Sequence, residues 1–379
     1  MLPADNPAPV IKRFVALDSL RGLAALSVVA CHYLILLSTT AAGPAITRWL
    51  AVPPLSLLGT AYGSVILFFV LSGYVLALNL ATDGSGNWLG FVARRVCRIW
   101  LPYAATLLVS FAIGAVTLAA SPSLPPVWES NIWQSDSFGL IALIRQIGML
   151  TSHIPLDVPG WSLILEMRIS LIFPLLLVAV RRAPATTLAA SLCLNIASSL
   201  GPPWFTPLVP DAAPYFVHFA VGAWLALNRT RIAAAMQTAT ARSHALLGIV
   251  ALLCLSVPRE VPCAGLVTGL GATVIIALVI GSPALARLLA APWCERLGRV
   301  SYSLYLTHVV VLMALGALLG GWLPVPLVLI VACPVIATVS WAGYRYVEQP
   351  SIRLGRILAA RIAARGAAAV PQPVPGTAA

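Results

Sequence analysis

The 379-residue chain is 60% hydrophobic and only 9% charged, whereas a soluble domain has charges at about a quarter of its positions. This composition excludes a soluble globular protein and indicates a chain that crosses a membrane several times. Its net charge of +12 comes from Lys and Arg at the ends of apolar stretches, which is typical of membrane topology and excludes a nucleic-acid-binding surface.

Ten apolar stretches predict an all-α, polytopic integral membrane protein with about ten transmembrane helices. The N-terminus, alternate loops and the C-terminal tail hold 18 of the 23 Lys and Arg, so both termini are predicted to be cytoplasmic. Segment 138–150 is predicted to lie at the membrane interface, and 205–209 to be a loop. The predicted spans are 17–37, 61–80, 100–119, 161–180, 186–200, 213–228, 244–258, 262–281, 301–319 and 325–344.

Three parts follow from these spans. Residues 1–16 are a cytoplasmic N-terminal segment, residues 17–349 the membrane-embedded domain and residues 350–379 a cytoplasmic tail. Four arginines in the tail predict a helix that lies on anionic membrane lipid, and the Ala- and Pro-rich end after it is predicted to be disordered.

The first span carries three ionisable residues on one helix face. Asp18, Arg21 and His32 are spaced so that their side chains project from the same side. Each ionisable group at the bilayer centre costs about 2.5–3.5 kcal/mol, so three aligned groups favour a functional site over polar packing. Asp18 lies about 21 Å from His32 along the helix and is expected to pair with Arg21 or another arginine.

The second span has Ser72, Gly73 and Tyr74 near its middle. A small residue at such a place allows another helix or an extended ligand to approach closely. Helix packing is the ordinary explanation, and a ligand site lined by Ser72 and Tyr74 is the functional alternative.

Three arginines, Arg94, Arg95 and Arg98, precede the apolar part of the third span. Residues at i and i+3 or i+4 share a helix face, and guanidinium groups pair with phosphate oxygens. The positive-inside rule explains some arginines here. An Arg-x-x-Arg face that runs into Trp100 and Pro102 favours phosphate binding as well.

The fourth span begins with Trp161 and Ser162 and carries a carboxylate, Glu166, about one turn further on. The topology places Glu166 in the same leaflet as His32, and a buried carboxylate near an imidazole orients it and stabilises its protonated form. A structural pair with Arg168 is the alternative, although residues at i and i+2 do not face each other on a helix.

The ninth span begins with Tyr302, Tyr305 and His308. These side chains either line a channel or satisfy one another across helices. Packing is the favoured interpretation for the tyrosines, and both alternatives stay open for His308. No metal site is predicted, because the seven cysteines include no Cys-x-x-Cys pair and the histidines are scattered.

Six segments, in this order, resemble the acyltransferase-3 family of bacterial integral membrane O-acyltransferases. The resemblance runs from residue 17 to about 349 and rests on LDSLRGLAALSVVACHY, FFVLSGYVLA, RRVCRIWLPY, WSLILE, VSYSLYLTH and YRYVEQP. It implies that His32 is the catalytic base, that Arg95 and Arg98 belong to the acyl-donor site, and that Glu166 is the family's tryptophan-led glutamate. Many members carry Glu-Glu and then Phe-Tyr after WSL, where this chain has Glu-Met-Arg-Ile-Ser.

The resemblance also implies a transferase of acyl groups other than amino-acyl groups, in the inner membrane of a bacterium. Its acyl donor would be acetyl-CoA or another acyl-CoA, and its acceptor a carbohydrate or glycolipid such as lipopolysaccharide or exopolysaccharide. Some members carry a C-terminal hydrolase-like domain, and we expect this chain to act with its membrane domain alone or with a partner.

The polar residues of the spans and the resemblance to the family predict the same reaction mechanism. Arg95 and Arg98 would hold the phosphates of acyl-CoA at the cytoplasmic face, near Arg21, while the thioester arm runs along the first span to His32. His32 would then deprotonate an acceptor hydroxyl or carry the acyl group, with Glu166 or Asp18 tuning its basicity. The alternatives are a transporter or lipid flippase whose charges line a substrate path, and a scaffold subunit without catalysis.

Overall fold

The computed structural model describes residues 8–82, 87–120, 133, 135–200 and 211–368, and within these ranges the chain is helical with no β-strand. The α-helices are α1 (Ala8–Leu37), α2 (Gly43–Leu50), α3 (Ser56–Gly59), α4 (Tyr62–Thr82), α5 (Trp88–Ala120), α6 (Leu140–Ile147), α7 (Gly160–Arg182), α8 (Pro184–Leu200), α9 (Phe216–Leu227), α10 (Arg229–Gln237), α11 (Ala241–Leu255), α12 (Ala264–Gly281), α13 (Pro283–Leu289), α14 (Pro292–Leu319), α15 (Val325–Gly343) and α16 (Gln349–Ala368). Short 3₁₀ turns lie at Ser135–Phe138 and Ala213–Tyr215, and a π-helical turn at Tyr344–Glu348 joins α15 to α16.

In the described part of the chain, seven helical segments are long and apolar enough to cross a membrane. They lie in α1, α4, α5, α7, α12, α14 and the continuous helix from α15 into α16. Three shorter apolar helices, at α8, α9 and α11, coincide with the remaining predicted spans. The prediction of an all-α, polytopic membrane protein is confirmed. The full count of ten crossings stays a prediction, because a helix needs about 20 residues to cross the hydrocarbon core.

Several helices begin earlier than the hydropathy pattern predicts. Helix α1 starts at Ala8, inside the predicted segment 1–16, and α5 starts at Trp88, twelve residues before its predicted span. The physical reason is that hydropathy falls at the basic residues near a membrane surface, whereas backbone hydrogen bonding continues through them.

The segments flanking the spans are partly described. Within 138–150 lies the short helix α6, whose Leu140, Ile141 and Ile144 side chains are exposed, as expected of an interfacial helix. The predicted loop 205–209 lies outside the described residues. In the tail, helix α16 runs to Ala368 and packs beside α5, and the residues after 368 are not described.

The buried hydrophobic side chains of the described residues form two clusters that meet at Phe68. One cluster surrounds α4, α9 and α12, and the other joins α1, α5, α14 and α15. Helix α7 contributes to both clusters, so it passes between them. The polar side chains of the candidate site lie at this junction.

Two glycines set the spacing of the helices that carry the site. A Cβ on Gly22 of α1 would lie 2.6 Å from the backbone nitrogen of Gly298 in α14, so these two helices are in backbone contact. Gly73 of α4 lies directly against the Phe219 carbonyl of α9. The close helix approach predicted at Gly73 is therefore confirmed, and its partner is a helix.

Candidate active site

An inner cavity of about 200 Å³ lies among the ends of α1, α5 and α14 that the predicted topology places toward the cytoplasm. Four arginines line it, Arg21, Arg95, Arg98 and Arg299, together with the carboxylates of Glu166 and Glu348. A concentration of guanidinium groups in one concave site attracts anions. Other lining residues are Asp18, Phe68, Ser72, Ser162, Tyr302 and Tyr305.

Arg95 forms the central ion pair of the inner cavity. Its Nη2 donates to Glu166 Oε1 at 2.8 Å and lies 3.0 Å from Ser170 Oγ. The Ser72 hydroxyl donates to the same Glu166 oxygen at 2.8 Å. Arg95 Nε is buried and has no hydrogen-bond partner among the described residues.

The other arginines occupy different positions around this pair. Arg21 contacts Asp18 at 3.4 Å, as the spacing on the first span predicts. Arg98 is exposed and lines the cavity. Arg94 and Tyr74 are not among the lining residues; the Arg94 backbone lies against α16, and Tyr74 is buried in the core around α4.

Glu348 belongs to the cavity wall, and it is a site residue that sequence reasoning missed. Its carboxylate accepts a 2.7 Å hydrogen bond from Ser303 of α14. It lies in the π-helical turn, and such turns are frequent at functional sites. An acidic side chain within the basic stretch from Arg345 to Arg365 is the sequence signal that singles it out.

An outer cavity of about 240 Å³ lies on the opposite side of the helix bundle. His32 and Trp161 line it, together with Tyr62 and Arg259, which sequence reasoning did not select. The Arg259 guanidinium lies 6.0 Å from the centre of the Tyr62 ring and 5.8 Å from that of Trp161. Two aromatic rings and a cation thus stand beside the histidine.

Tyr305 lines both cavities, so it stands at the boundary between them. Its hydroxyl donates to the Pro159 carbonyl at 3.1 Å and lies 2.7 Å from Ser162 Oγ. Its ring packs edge-on against Phe68, with 5.6 Å between the ring centres. These contacts hold an aromatic partition between the arginine-lined and histidine-lined cavities. Tyr302 is held separately, by donating to the Ile99 carbonyl at 2.7 Å.

The two histidines predicted on α1 and α14 meet at the outer cavity. His308 Nε2 lies 3.2 Å from His32 Nδ1, and the rings are nearly perpendicular, at 68°. His308 is fully buried, whereas His32 is partly exposed and lines the cavity. A basic nitrogen at the edge of an enclosed site is suited to abstract a proton from a bound hydroxyl.

The comparison with protein families agrees with this geometry. A family model described as "Acyltransferase domain" matches residues 14–345, which is most of the chain. The chain belongs to the acyltransferase-3 family. It is 26% identical to Acyltransferase MdmB of Streptomyces mycarofaciens over 343 residues, which cover 83% of this chain and 82% of the relative. No solved structure matches the chain.

Family membership makes this protein a multi-pass membrane acyltransferase, and it favours the enzyme over a transporter or scaffold. His32, Tyr305 and His308 of the acyltransferase lie together at the outer cavity. His32 and Tyr305 line this cavity, and His308 is buried behind His32. Arg21, Arg95 and Arg98 lie together and line the inner cavity.

Glu166 lies with the arginines of the acyltransferase and not with the histidine. Its carboxylate contacts Arg95 and Ser72, and no contact with His32 is found in the described parts of the chain. The reason is depth: α7 begins at Gly160, so six residues of helix carry Glu166 about 9 Å inward from the outer cavity. Arg168, the alternative partner, contacts Asp211 instead at 3.6 Å.

A further carboxylate lies beneath the outer cavity of the acyltransferase. Asp157 precedes α7, outside the membrane-spanning segments, and it is fully buried. Neither of its side-chain oxygens has a hydrogen-bond partner among the described residues. Burial raises the pKa of Asp157 well above its ordinary value of 3.8, because the charged form is not solvated there.

Proposed function

We propose that this acyltransferase moves an acyl group, most simply acetyl, from cytoplasmic acyl-CoA to a hydroxyl of a cell-envelope carbohydrate on the periplasmic side of a bacterial inner membrane. The observation that carries the proposal is the pair of cavities on opposite sides of the bundle, which share Tyr305 as a common wall. Two substrates that enter from opposite sides need such an arrangement.

The inner cavity suits the acyl donor. Arg95 and Arg98 stand on one face of α5, and Arg21 faces them across the cavity, so phosphate oxygens of acyl-CoA would find several donors. The pantetheine arm is uncharged and can enter the bundle without the desolvation cost of a charged group. Ser162 and Tyr305 then lie where the thioester would reach the partition.

The outer cavity suits the acceptor. Trp161 and Tyr62 offer aromatic surface, Arg259 offers hydrogen-bond donors, and His32 lies in the same wall. In the proposed reaction His32 takes the proton of the acceptor hydroxyl. The hydroxyl oxygen then forms a bond to the thioester carbon, and the carbon–sulfur bond breaks. The proton then passes from His32 to the departing thiolate. A covalent acyl-histidine is the alternative route through the same residue.

Labelled acyl transfer in membrane vesicles tests the proposal. Inverted vesicles that contain the protein are incubated with acetyl-CoA labelled in the acetyl group, and label bound to membrane or glycan is measured. We expect incorporation by the wild type and by His244→Ala, and none by His32→Ala, because His244 lies outside both cavities.

Digestion of the labelled product would identify the acceptor and test the carbohydrate assignment. If wild-type vesicles transfer neither acetyl nor longer acyl groups to native envelope acceptors, the donor and acceptor assignments are wrong. If His32→Ala transfers at the wild-type rate, the role assigned to His32 is wrong.

A further inference from the structure

The buried histidine beside His32 has no part in the mechanism described so far. His308 lies on α14, one turn from Tyr305, and none of its surface is accessible to solvent. Its Nε2 is 3.2 Å from His32 Nδ1. A buried polar side chain costs free energy unless it is hydrogen-bonded, so both ring nitrogens of His308 need partners.

Backbone carbonyls determine where the proton of His308 resides. Its Nδ1 lies 3.0 Å from the Leu304 carbonyl oxygen. A carbonyl oxygen only accepts hydrogen bonds, so Nδ1 must carry the proton. In a neutral imidazole the other nitrogen then has a free lone pair. His308 Nε2 is therefore an acceptor, and it points at His32.

The same reasoning applies to His32. Its Nδ1 lies 2.9 Å from the Val28 carbonyl oxygen and 3.2 Å from His308 Nε2, so both neighbours accept and Nδ1 carries the proton. The lone pair of His32 is consequently on Nε2. No hydrogen bond to His32 Nε2 is found among the described residues, and the ring lines the outer cavity.

We propose that His308 is a positioning residue, which holds His32 in the tautomer whose Nε2 can accept a proton from the acceptor hydroxyl. The inference rests on the proposed function of His32 as the base. The arrangement resembles a hydrolytic triad in which a neutral imidazole takes the place of the orienting carboxylate. A neutral partner suits this position because it adds no charge to the membrane interior.

Two substitutions at the same position separate positioning from packing. His308→Phe keeps an aromatic ring but removes the acceptor, and His308→Gln keeps an acceptor oxygen near the place of Nε2. We expect His308→Phe to lower kcat at least about tenfold with an unchanged KM for acyl-CoA. His308→Gln is expected to recover most of the lost kcat. Equal activity of His308→Phe and wild type, or equal loss in both variants, would overturn the inference.

A spectroscopic measurement keeps the inference testable if His308→Phe fails to fold. Solid-state ¹⁵N NMR of histidine-labelled wild type in lipid reports the tautomer, and the signal missing from His32→Ala identifies His32. The expected form has the proton on Nδ1, and a proton on Nε2 would overturn the inference. This readout needs no acyl transfer. Absence of transfer by the wild type would therefore contradict the proposed function alone. Because the Val28 carbonyl also accepts from His32 Nδ1, the role of His308 is decided by its own signal, identified as the one missing from His308→Gln. We expect its Nε2 to be unprotonated, and a proton on that nitrogen would overturn the inference.

Discussion

The buried ion pair between Arg95 and Glu166 allows a quantitative test of how the inner cavity is held together. The side chains are 12% and 17% exposed, and their charged atoms lie 2.8 Å apart. Replacing one member leaves the other nearly buried with a single neutral partner, Ser170 for Arg95 or Ser72 for Glu166. Replacing both members, by Arg95→Met and Glu166→Leu, removes both charges and keeps similar volumes.

The expected free energies follow from this geometry. At 2.8 Å and an effective dielectric constant near 20, the attraction is about 6 kcal/mol. Desolvation of the two charges offsets part of it, and loss of one partner from a buried pair costs about 3–5 kcal/mol. We expect each single variant to lose about 3 kcal/mol of unfolding free energy. The double variant should lose less than either single variant, because no buried charge is left unpaired.

The assay is reversible unfolding by SDS in mixed micelles, followed by tryptophan fluorescence, for the four members of the double-mutant cycle. The exposed pair of Glu295 and Arg299, at 3.9 Å and 45% and 56% exposed, is the matched control. Its coupling should be no more than about 0.5 kcal/mol. If the losses of unfolding free energy in the two single variants simply add in the double variant, Arg95 and Glu166 are not an energetically coupled pair. The ion pair then does not stabilise the wall of the inner cavity.

Three further predictions concern other parts of the site. Because burial raises the pKa of Asp157, the free energy of unfolding of the wild type should fall as pH rises from 3.8 toward the folded-state pKa, by about 1.4 kcal/mol per pH unit. Thermal unfolding should show that Asp157→Asn gains stability relative to the wild type across this pH range. A stability difference that does not change with pH would contradict this. Gly298→Val should abolish folding or activity, because even a Cβ there would lie 2.5 Å from the Asp18 carbonyl oxygen. Gly321 has open space around it, so Gly321→Val is the control and should leave expression and thermal stability unchanged. Tyr305→Ala should join the two cavities and raise hydrolysis of acyl-CoA relative to transfer, measured as free thiol against labelled acceptor, and an unchanged ratio would show that Tyr305 is not the partition.

Local spacing predicted the contacts that lie within one helix. Asp18 and Arg21 are three residues apart, and their pairing follows from helix geometry alone. The mid-helix Gly73 predicted a close neighbour for the same kind of reason, although the sequence did not say which helix that neighbour would be. Glu166 shows the limit of such reasoning: its position on the span suggested a place near His32, whereas its partner, Arg95, is 71 positions away on another helix.

The amino-acid sequence by itself determined the class of this protein: an all-α membrane acyltransferase, with a histidine on the first span and arginines near the start of the third. Composition and helical period predict the membrane helices and the side chains that share a face, and the resemblance of six segments to a known family predicts the acyltransferase activity. Only the tertiary structure decided that His308 meets His32, that Glu348 joins the inner cavity and that Tyr305 separates the two cavities. These contacts arise between helices distant in the chain, and their geometry depends on helix crossings such as Gly22 against Gly298, which no local pattern records.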